Sequence, residues 1–259
     1  MPVAVITGSS SGIGRQTAIE FARQGYSVVL HARTNLSGLQ RTAAELRLLQ
    51  PRDAAVLCVT ADIRCERSCR DLVATAFAWR AGIQIWVNNA GADVLTTAAR
   101  HLPFAERLQQ LLDVDVAGTI RLSRLVVERL QQQTDDSAAR QPALINIGWD
   151  QALQGMEGEA GQLFCTTKGA VMAFSTALAM SVGPNIRVNC VAPGWIQTAW
   201  GEQTTDAYWD QRARRESLLE RWDQPQDVAQ TIAWLASPQA EFVNGQTIPV
   251  NGGRRFYPS

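Results

Sequence analysis

Short apolar, β-branched runs alternate along the chain with longer stretches that repeat apolar residues every three or four positions. The runs Pro2 to Thr7, Tyr26 to Leu30, Ala54 to Val59, Gln84 to Val87, Ala143 to Ile147 and Asn185 to Val191 predict strands. Helical periodicity covers Gln16 to Gln24 and Leu36 to Leu49, the second ended by Pro51, and a long helix over Phe104 to Gln133. That helix gives way to the polar stretch Gln131-Gln132-Gln133-Thr134-Asp135-Asp136-Ser137, expected as an exposed loop. Successive strands are far enough apart for crossover helices, so the pattern implies a parallel sheet with helices on both faces. One α/β domain over residues 1–259 is the expected organisation.

Between the first strand and the first helix stands Thr7-Gly8-Ser9-Ser10-Ser11-Gly12-Ile13-Gly14. Missing side chains at Gly8, Gly12 and Gly14 let the backbone turn sharply and approach a pyrophosphate at a helix N-terminus. The second strand should end at His31-Ala32-Arg33. An acid there would hold a ribose 2′-hydroxyl, whereas an arginine accepts a 2′-phosphate, so the residues point to NADP(H) with Arg33 as the charge-assisted donor.

These motifs, with Asn88-Asn89-Ala90-Gly91, Lys168, Pro193-Gly194-Trp195-Ile196-Gln197-Thr198 and the tail Asn244 to Gly253, resemble the short-chain dehydrogenase/reductase family over essentially the whole length. The resemblance implies a single doubly wound Rossmann domain with seven parallel strands, assembled as a tetramer. It places Ser10, Ser11 and Ile13 with the glycines on the cofactor, Asp62 and Ile63 at the adenine, and Asn89, Ala90 and Gly91 on the cofactor floor. It further implies Pro193, Gly194, Ile196 and Thr198 beside the nicotinamide, and Lys168 on the nicotinamide ribose.

The catalytic positions depart from that family. Phe164 stands where a tyrosine belongs, four residues before Lys168, and has no proton to give. Asp115 stands at the asparagine position, and Trp149 at the serine position, with Asp150 or Gln151 also compatible by spacing. A carboxyl beside an apolar ring can be desolvated into donating a proton near neutrality, which nominates Asp150, with Glu157 and Glu159 as further loop candidates. The rings of Trp149, Phe164, Trp195 and Trp200 predict a pocket for a flat or cyclic substrate, and residues 194–222 a lid over it. The expected function is an atypical NADP(H)-dependent oxidoreductase acting on a small carbonyl, hydroxyl or C=N compound. A second reading stays open: a non-redox protein on the same fold, either a cofactor-binding sensor or an isomerase- or hydratase-type enzyme.

Composition narrows the partners. Charges balance at 24 basic and 24 acidic side chains, which gives no electrostatic reason for nucleic acid or an anionic membrane. The start carries neither a basic segment nor a long apolar run, and no uninterrupted apolar stretch nears the roughly 18 to 20 residues of a spanning helix, so a cytoplasmic place is expected. Five cysteines without a CxxC pair predict free thiols and no metal, although Cys65 and Cys69 share a helical spacing and Cys165 borders the site. His31 and His101 lie too far along the chain from residues 149–168 to predict a histidine-based triad.

Overall fold

The apolar runs pair edge to edge. In the computed structural model, which describes residues 1–80, 82–133, 141–198 and 207–255, seven parallel strands run in the order β3-β2-β1-β4-β5-β6-β7. They are β1 (Val3–Ile6), β2 (Ser27–Ala32), β3 (Val56–Thr60), β4 (Ile83–Asn88), β5 (Ala143–Ile147), β6 (Arg187–Pro193) and β7 (Thr247–Val250). Chain order reverses between β1 and β4, which opens a crevice at the carboxyl ends of the central strands.

Helices α1 (Gly12–Arg23), α2 (Leu36–Leu49) and α8 (Pro225–Ala236) cover one face, and α3 (Glu66–Trp79), α5 (Thr119–Gln131) and α6 (Gly158–Val182) the other. Strand alternation divides the core accordingly. Ile6, Leu30, Val87 and Ile145 pack with Phe21, Leu39 and Ile232, while Val5, Val29, Trp86 and Leu144 pack with Leu72, Leu122 and Val182. Burial on both faces explains why the central strands read as unbroken apolar runs.

Most strand ends shift by one or two residues, and three larger differences have a local cause. Helix α1 begins at Gly12, because the glycine turn itself supplies its first residues. The sixth strand starts at Arg187, since Asn185 and Ile186 still donate to the carbonyl of Val182 at the end of α6. The long helix is divided: α4 (Phe104–Leu111) passes into a π-helical stretch, Leu112–Gly118, before α5 resumes. Its wider turn accommodates one extra residue per loop of chain and leaves the buried Asp115 facing the segment after β4. Of the expected polar loop, residues 134–137 lie outside the described residues.

Helix α6 is long and apolar enough, by length and composition alone, to cross a membrane, although no uninterrupted apolar run had marked it. Its buried positions Leu163, Thr167, Val171, Ser175, Ala179 and Val182 recur every three or four residues and lie against β5 and β6, as in a core helix.

A polar chain crosses this core. Trp86 Nε1 donates to Asn88 Oδ1 at 2.8 Å, and Asn88 Nδ2 donates to Ser123 Oγ and Asn146 Oδ1, each at 2.9 Å. Asn146 Nδ2 donates in turn to Ser175 Oγ at 2.8 Å, so each member of this buried set is paired. Asn146→Ala strips partners from Asn88 and Ser175 and leaves a void; chemical denaturation should show a loss of about 2–4 kcal/mol.

Candidate active site

The crevice begins at the glycine turn. Gly8 and Gly12 have φ of +65° and +54°, which favour glycine. A Cβ at Gly8 would sit 2.8 Å from Ala90 Cα, and one at Gly14 2.3 Å from the Gly8 carbonyl oxygen. The turn is therefore pressed onto the end of β4, where Asn89 Nδ2 donates to the Thr7 and Gly8 carbonyls at 3.0 Å each. At Gly12 an added Cβ would meet only Thr198 Cγ2, at 3.6 Å, so this side faces the segment after β6 across open space. Ser11 caps α1 without a side-chain bond, leaving the N-terminal amides of Gly12 and Ile13 available to an anion. Gly8, Ser10, Ser11, Gly12, Ile13 and Gly14 thus form a cradle whose shape fits a pyrophosphate.

His31 holds that cradle in place, a role that sequence reasoning missed. Its Nδ1 accepts from the Gly8 amide at 3.3 Å and its Nε2 faces the Ala61 carbonyl at 3.0 Å, which together require the neutral ring protonated at Nε2. Burial lowers its pKa and keeps it neutral. Two positions on, Arg33 is exposed at the end of β2. Asp62 is held by Arg64, with contacts of 2.5 to 3.0 Å, and its pKa falls chiefly through that hydrogen bond, with the charge of Arg33 contributing. Ile63 is buried against Gly118.

Deeper in, the catalytic positions come together. Lys168 Nζ lies 2.9 Å from Asp115 Oδ2 and donates to the Ile147 carbonyl at 3.3 Å. Asp115, 2% exposed, also accepts from the Ala92 amide at 2.8 Å, and a Cβ at Gly91 would lie 3.1 Å from its Oδ2. The aspartate therefore sits directly beneath the expected cofactor floor. Phe164 packs its ring against Trp149, with centroids 6.1 Å apart at 68°.

Asp150 is buried next to Trp149, and its environment is built from distant sequence. Its Oδ2 accepts from Asn251 Nδ2 at 3.0 Å and Arg254 NH1 at 3.3 Å, while its Oδ1 is buried without a partner. Burial raises its pKa, with Asn251 and Arg254 opposing. Arg254 also reaches Glu216, which takes the Trp195 indole N–H at 2.9 Å and Arg212 Nε at 2.7 Å. Asn251 was marked only as part of the family-like tail, with no role assigned, and Arg254 had no signal in the sequence. Asp223 completes the group: its backbone pairs with Trp195 and Gln197, and its Oδ2 lies 3.1 Å from where a Cβ on Gly194 would be. Burial pushes the Asp223 carboxyl up to about 7, helped by the negative charges of Asp227 and Asp150 and opposed by Arg221. Gly194 is further fixed by donating to the Val250 carbonyl at 2.8 Å, which sets Pro193, Ile196 and Thr198 along the rim.

Several expectations change. Glu157 is paired with Arg212, and that bond lowers its pKa, which disfavours a protonated carboxyl there. Glu159 is paired with Arg107. Among the described residues Trp149 packs with Phe164, and Trp195 packs with Trp209 and Trp222, with Arg212 over the rings of Trp195 and Trp209. Trp200 lies outside the described residues, as do residues 199–206 of the expected lid; the rest of it, including α7 (Ala207–Glu216), is described. Cys165 has its pKa raised by burial and donates to the Gln151 carbonyl, which argues against a nucleophile. Cys69 is buried while Cys65 is exposed, and no group of three metal-ligating side chains occurs among the described residues.

Residues 8–255 match the family model described as enoyl-(acyl carrier protein) reductase. The chain is 30% identical over 255 residues to the uncharacterized oxidoreductase YgfF of Escherichia coli K12, covering 98% of this chain and all of that protein. It is 31% identical to 3beta-hydroxysteroid dehydrogenase 1 of Eggerthella lenta, over 98% and 94% of the two chains, and 28% identical to glucose 1-dehydrogenase 2 of Bacillus subtilis, over 99% and 95%. Among solved structures, a short-chain dehydrogenase/reductase of the glucose/ribitol dehydrogenase type from Brucella melitensis superposes with a TM-score of 0.82 at 28% identity, over 99% and 97% of the chains.

Two outcomes follow from the buried charges. Lys168→Met strands Asp115 in the core and should lower unfolding free energy by about 3–5 kcal/mol, most of it recovered in Lys168→Met/Asp115→Leu. Because the native carboxyl of Asp223 binds its proton up to about 7 and the unfolded one releases it near 3.8, stability should decline as pH rises through that window. Thermal melts of Asp223→Asn should lack that part of the decline.

Proposed function

The chain belongs to the short-chain dehydrogenase/reductase family, and from that premise we propose that it is an NADP(H)-dependent oxidoreductase in which Asp150 supplies the acid-base group that Phe164 lacks. The observation that carries this reading is the buried carboxyl of Asp150, fixed through Oδ2 by Asn251 and Arg254 and free at Oδ1. A carboxyl raised by desolvation and anchored by one oxygen can hold a proton at the other or accept one there.

A bound nicotinamide would supply or take the hydride. The chain's own residues then divide the remaining work. The amides after Ser11 hold the pyrophosphate, Arg33 neutralises a 2′-phosphate, and Asp62, already satisfied by Arg64, leaves Arg33 free to do so. Lys168, oriented by Asp115 and the Ile147 carbonyl, holds the ribose hydroxyls. Trp149 and Phe164 exclude water from the reacting face and offer an apolar surface to a small cyclic alcohol, ketone or imine.

Cytoplasmic placement fits five free thiols. A homotetramer fits the outward face of α6, where the apolar Ala170, Ala173, Ala177 and Met180 are exposed.

Titration with NADPH and with NADH, followed by nicotinamide fluorescence and energy transfer from tryptophan, tests the reading. NADPH should bind at least about tenfold tighter, and Arg33→Ala should erase that preference. Asp150→Asn should keep NADPH binding and lose turnover of any substrate found. Binding of neither cofactor, or product formation with no change in nicotinamide absorbance, would replace the oxidoreductase reading with a non-redox one.

A further inference from the structure

The chain after β7 turns back onto the end of α7. Ser217 and Arg254 form an antiparallel bridge. The amides of Leu218 and Leu219 donate to the carbonyls of Gly253 and Gly252 at 2.8 and 3.2 Å, and the Arg255 amide donates to the Glu216 carbonyl at 2.9 Å. Backbone pairing thus fixes where the Arg254 side chain starts, and its guanidinium falls between two carboxylates of different elements. NH1 lies 3.3 Å from Asp150 Oδ2, after β5, and NH2 lies 3.6 Å from Glu216 Oε2, at the end of α7. All three side chains are largely withdrawn from water, with 14% of Arg254, 4% of Asp150 and 11% of Glu216 exposed. One positive charge cannot fully balance two negative ones, so whatever hold one carboxylate gains on Arg254 the other loses.

The two carboxylates are not equivalent. Glu216 also accepts from Trp195 Nε1 at 2.9 Å and Arg212 Nε at 2.7 Å, whereas the other side chain on Asp150 Oδ2 is Asn251, which carries no charge. Further charges surround the trio: Asp223 and Glu157 add negative charge, Arg212 is already clasped by Glu157 and Glu216, and Cys165 stays a neutral thiol because burial raises its pKa. We propose that Arg254 is a positioning residue that couples the protonation of Asp150 to the seating of α7. While Asp150 is charged, the guanidinium is divided between both carboxylates. A proton on Oδ1 neutralises Asp150 and leaves Arg254 to Glu216, which draws α7 onto the chain after β7 and, through the Trp195 indole, onto the rim at Pro193–Thr198. Its use during turnover rests on the oxidoreductase reading; the coupling itself does not.

Carboxyl-carbon NMR of the 259-residue protein labelled with ¹³C-aspartate tests this, with the Asp150 signal identified by its loss in Asp150→Asn. Arg254→Gln should raise the titration midpoint of Asp150 and Glu216→Gln should lower it, in the Asp223→Asn background as well, where that neighbour no longer titrates. An arginine with a merely structural role would change stability without moving the midpoint in opposite directions. If Arg254→Gln does not fold, Arg254→Lys keeps the charge but loses the fork, and Glu216→Gln should then leave Asp150 unmoved. Hydrogen exchange gives the second reading. Asp150→Asn, which imitates the neutral carboxyl, should slow exchange across 207–216 by about threefold, and Asp150→Asn/Arg254→Gln should not. An Asp150 midpoint indifferent to Glu216→Gln, or α7 exchange unchanged in Asp150→Asn, would overturn the proposal. NADPH binding without the coupling would strike the proposal alone, whereas the coupling without NADPH binding would strike only the oxidoreductase reading.

Discussion

The ion pair between Lys168 and Asp115 joins four parts of the molecule that the chain supplies separately. Lysine comes from the middle of α6, aspartate from the π-helical stretch before α5, and the shared partners are a carbonyl at the end of β5 and an amide just after β4. Both groups are largely withdrawn from water, so each is tolerated because of the other and because hydrogen bonds satisfy what the charge pairing leaves over. Gly91 lies against this pair, where an added Cβ would sit 3.1 Å from Asp115 Oδ2. Any ligand in the crevice therefore meets a lysine already held in position.

Near that pair, Phe164 and Trp149 pack edge to face close to the β5 end, and burial of the neighbouring Asp150 raises its pKa. The counterweight is Arg254 together with Asn251, both beyond the last strand. A charged group so placed keeps one oxygen of Asp150 occupied and so determines which oxygen can act. Arg212, clasped by Glu157 and Glu216 and stacked on two indoles, ties α7 to Glu157 and Trp195, while Glu216 of the same helix reaches Arg254 in the tail.

The sheet and the glycine turn were legible because each rests on local chemistry: apolar runs for strands buried on both faces, glycines where the backbone crowds Ala90 or takes a positive φ. The last strand was legible only through family likeness, since Thr247–Val250 is too short and too mixed to announce itself. The π-helical stretch escaped notice because widening a helix by one residue leaves the apolar periodicity nearly intact while turning Asp115 inward. The roles of Arg254 and Asn251 escaped because they arise from contacts with Asp150 more than 100 residues away, and that of Asp223 because it pairs with the turn at Trp195 and Gln197 in a way no spacing reveals.

His31 adds a constraint of a different kind. One ring nitrogen receives the Gly8 amide and the other faces the carbonyl of Ala61, so the phosphate turn and the edge of β3 are tied to a single imidazole. A second proton on that ring would set a donor against a donor and pry the two apart. Asp150 is its counterpart near the end of β5, where burial raises the pKa instead. One fold thus shifts two titratable groups in opposite senses, and in both burial favours the uncharged form: an imidazole under the glycine turn and a carboxyl after β5.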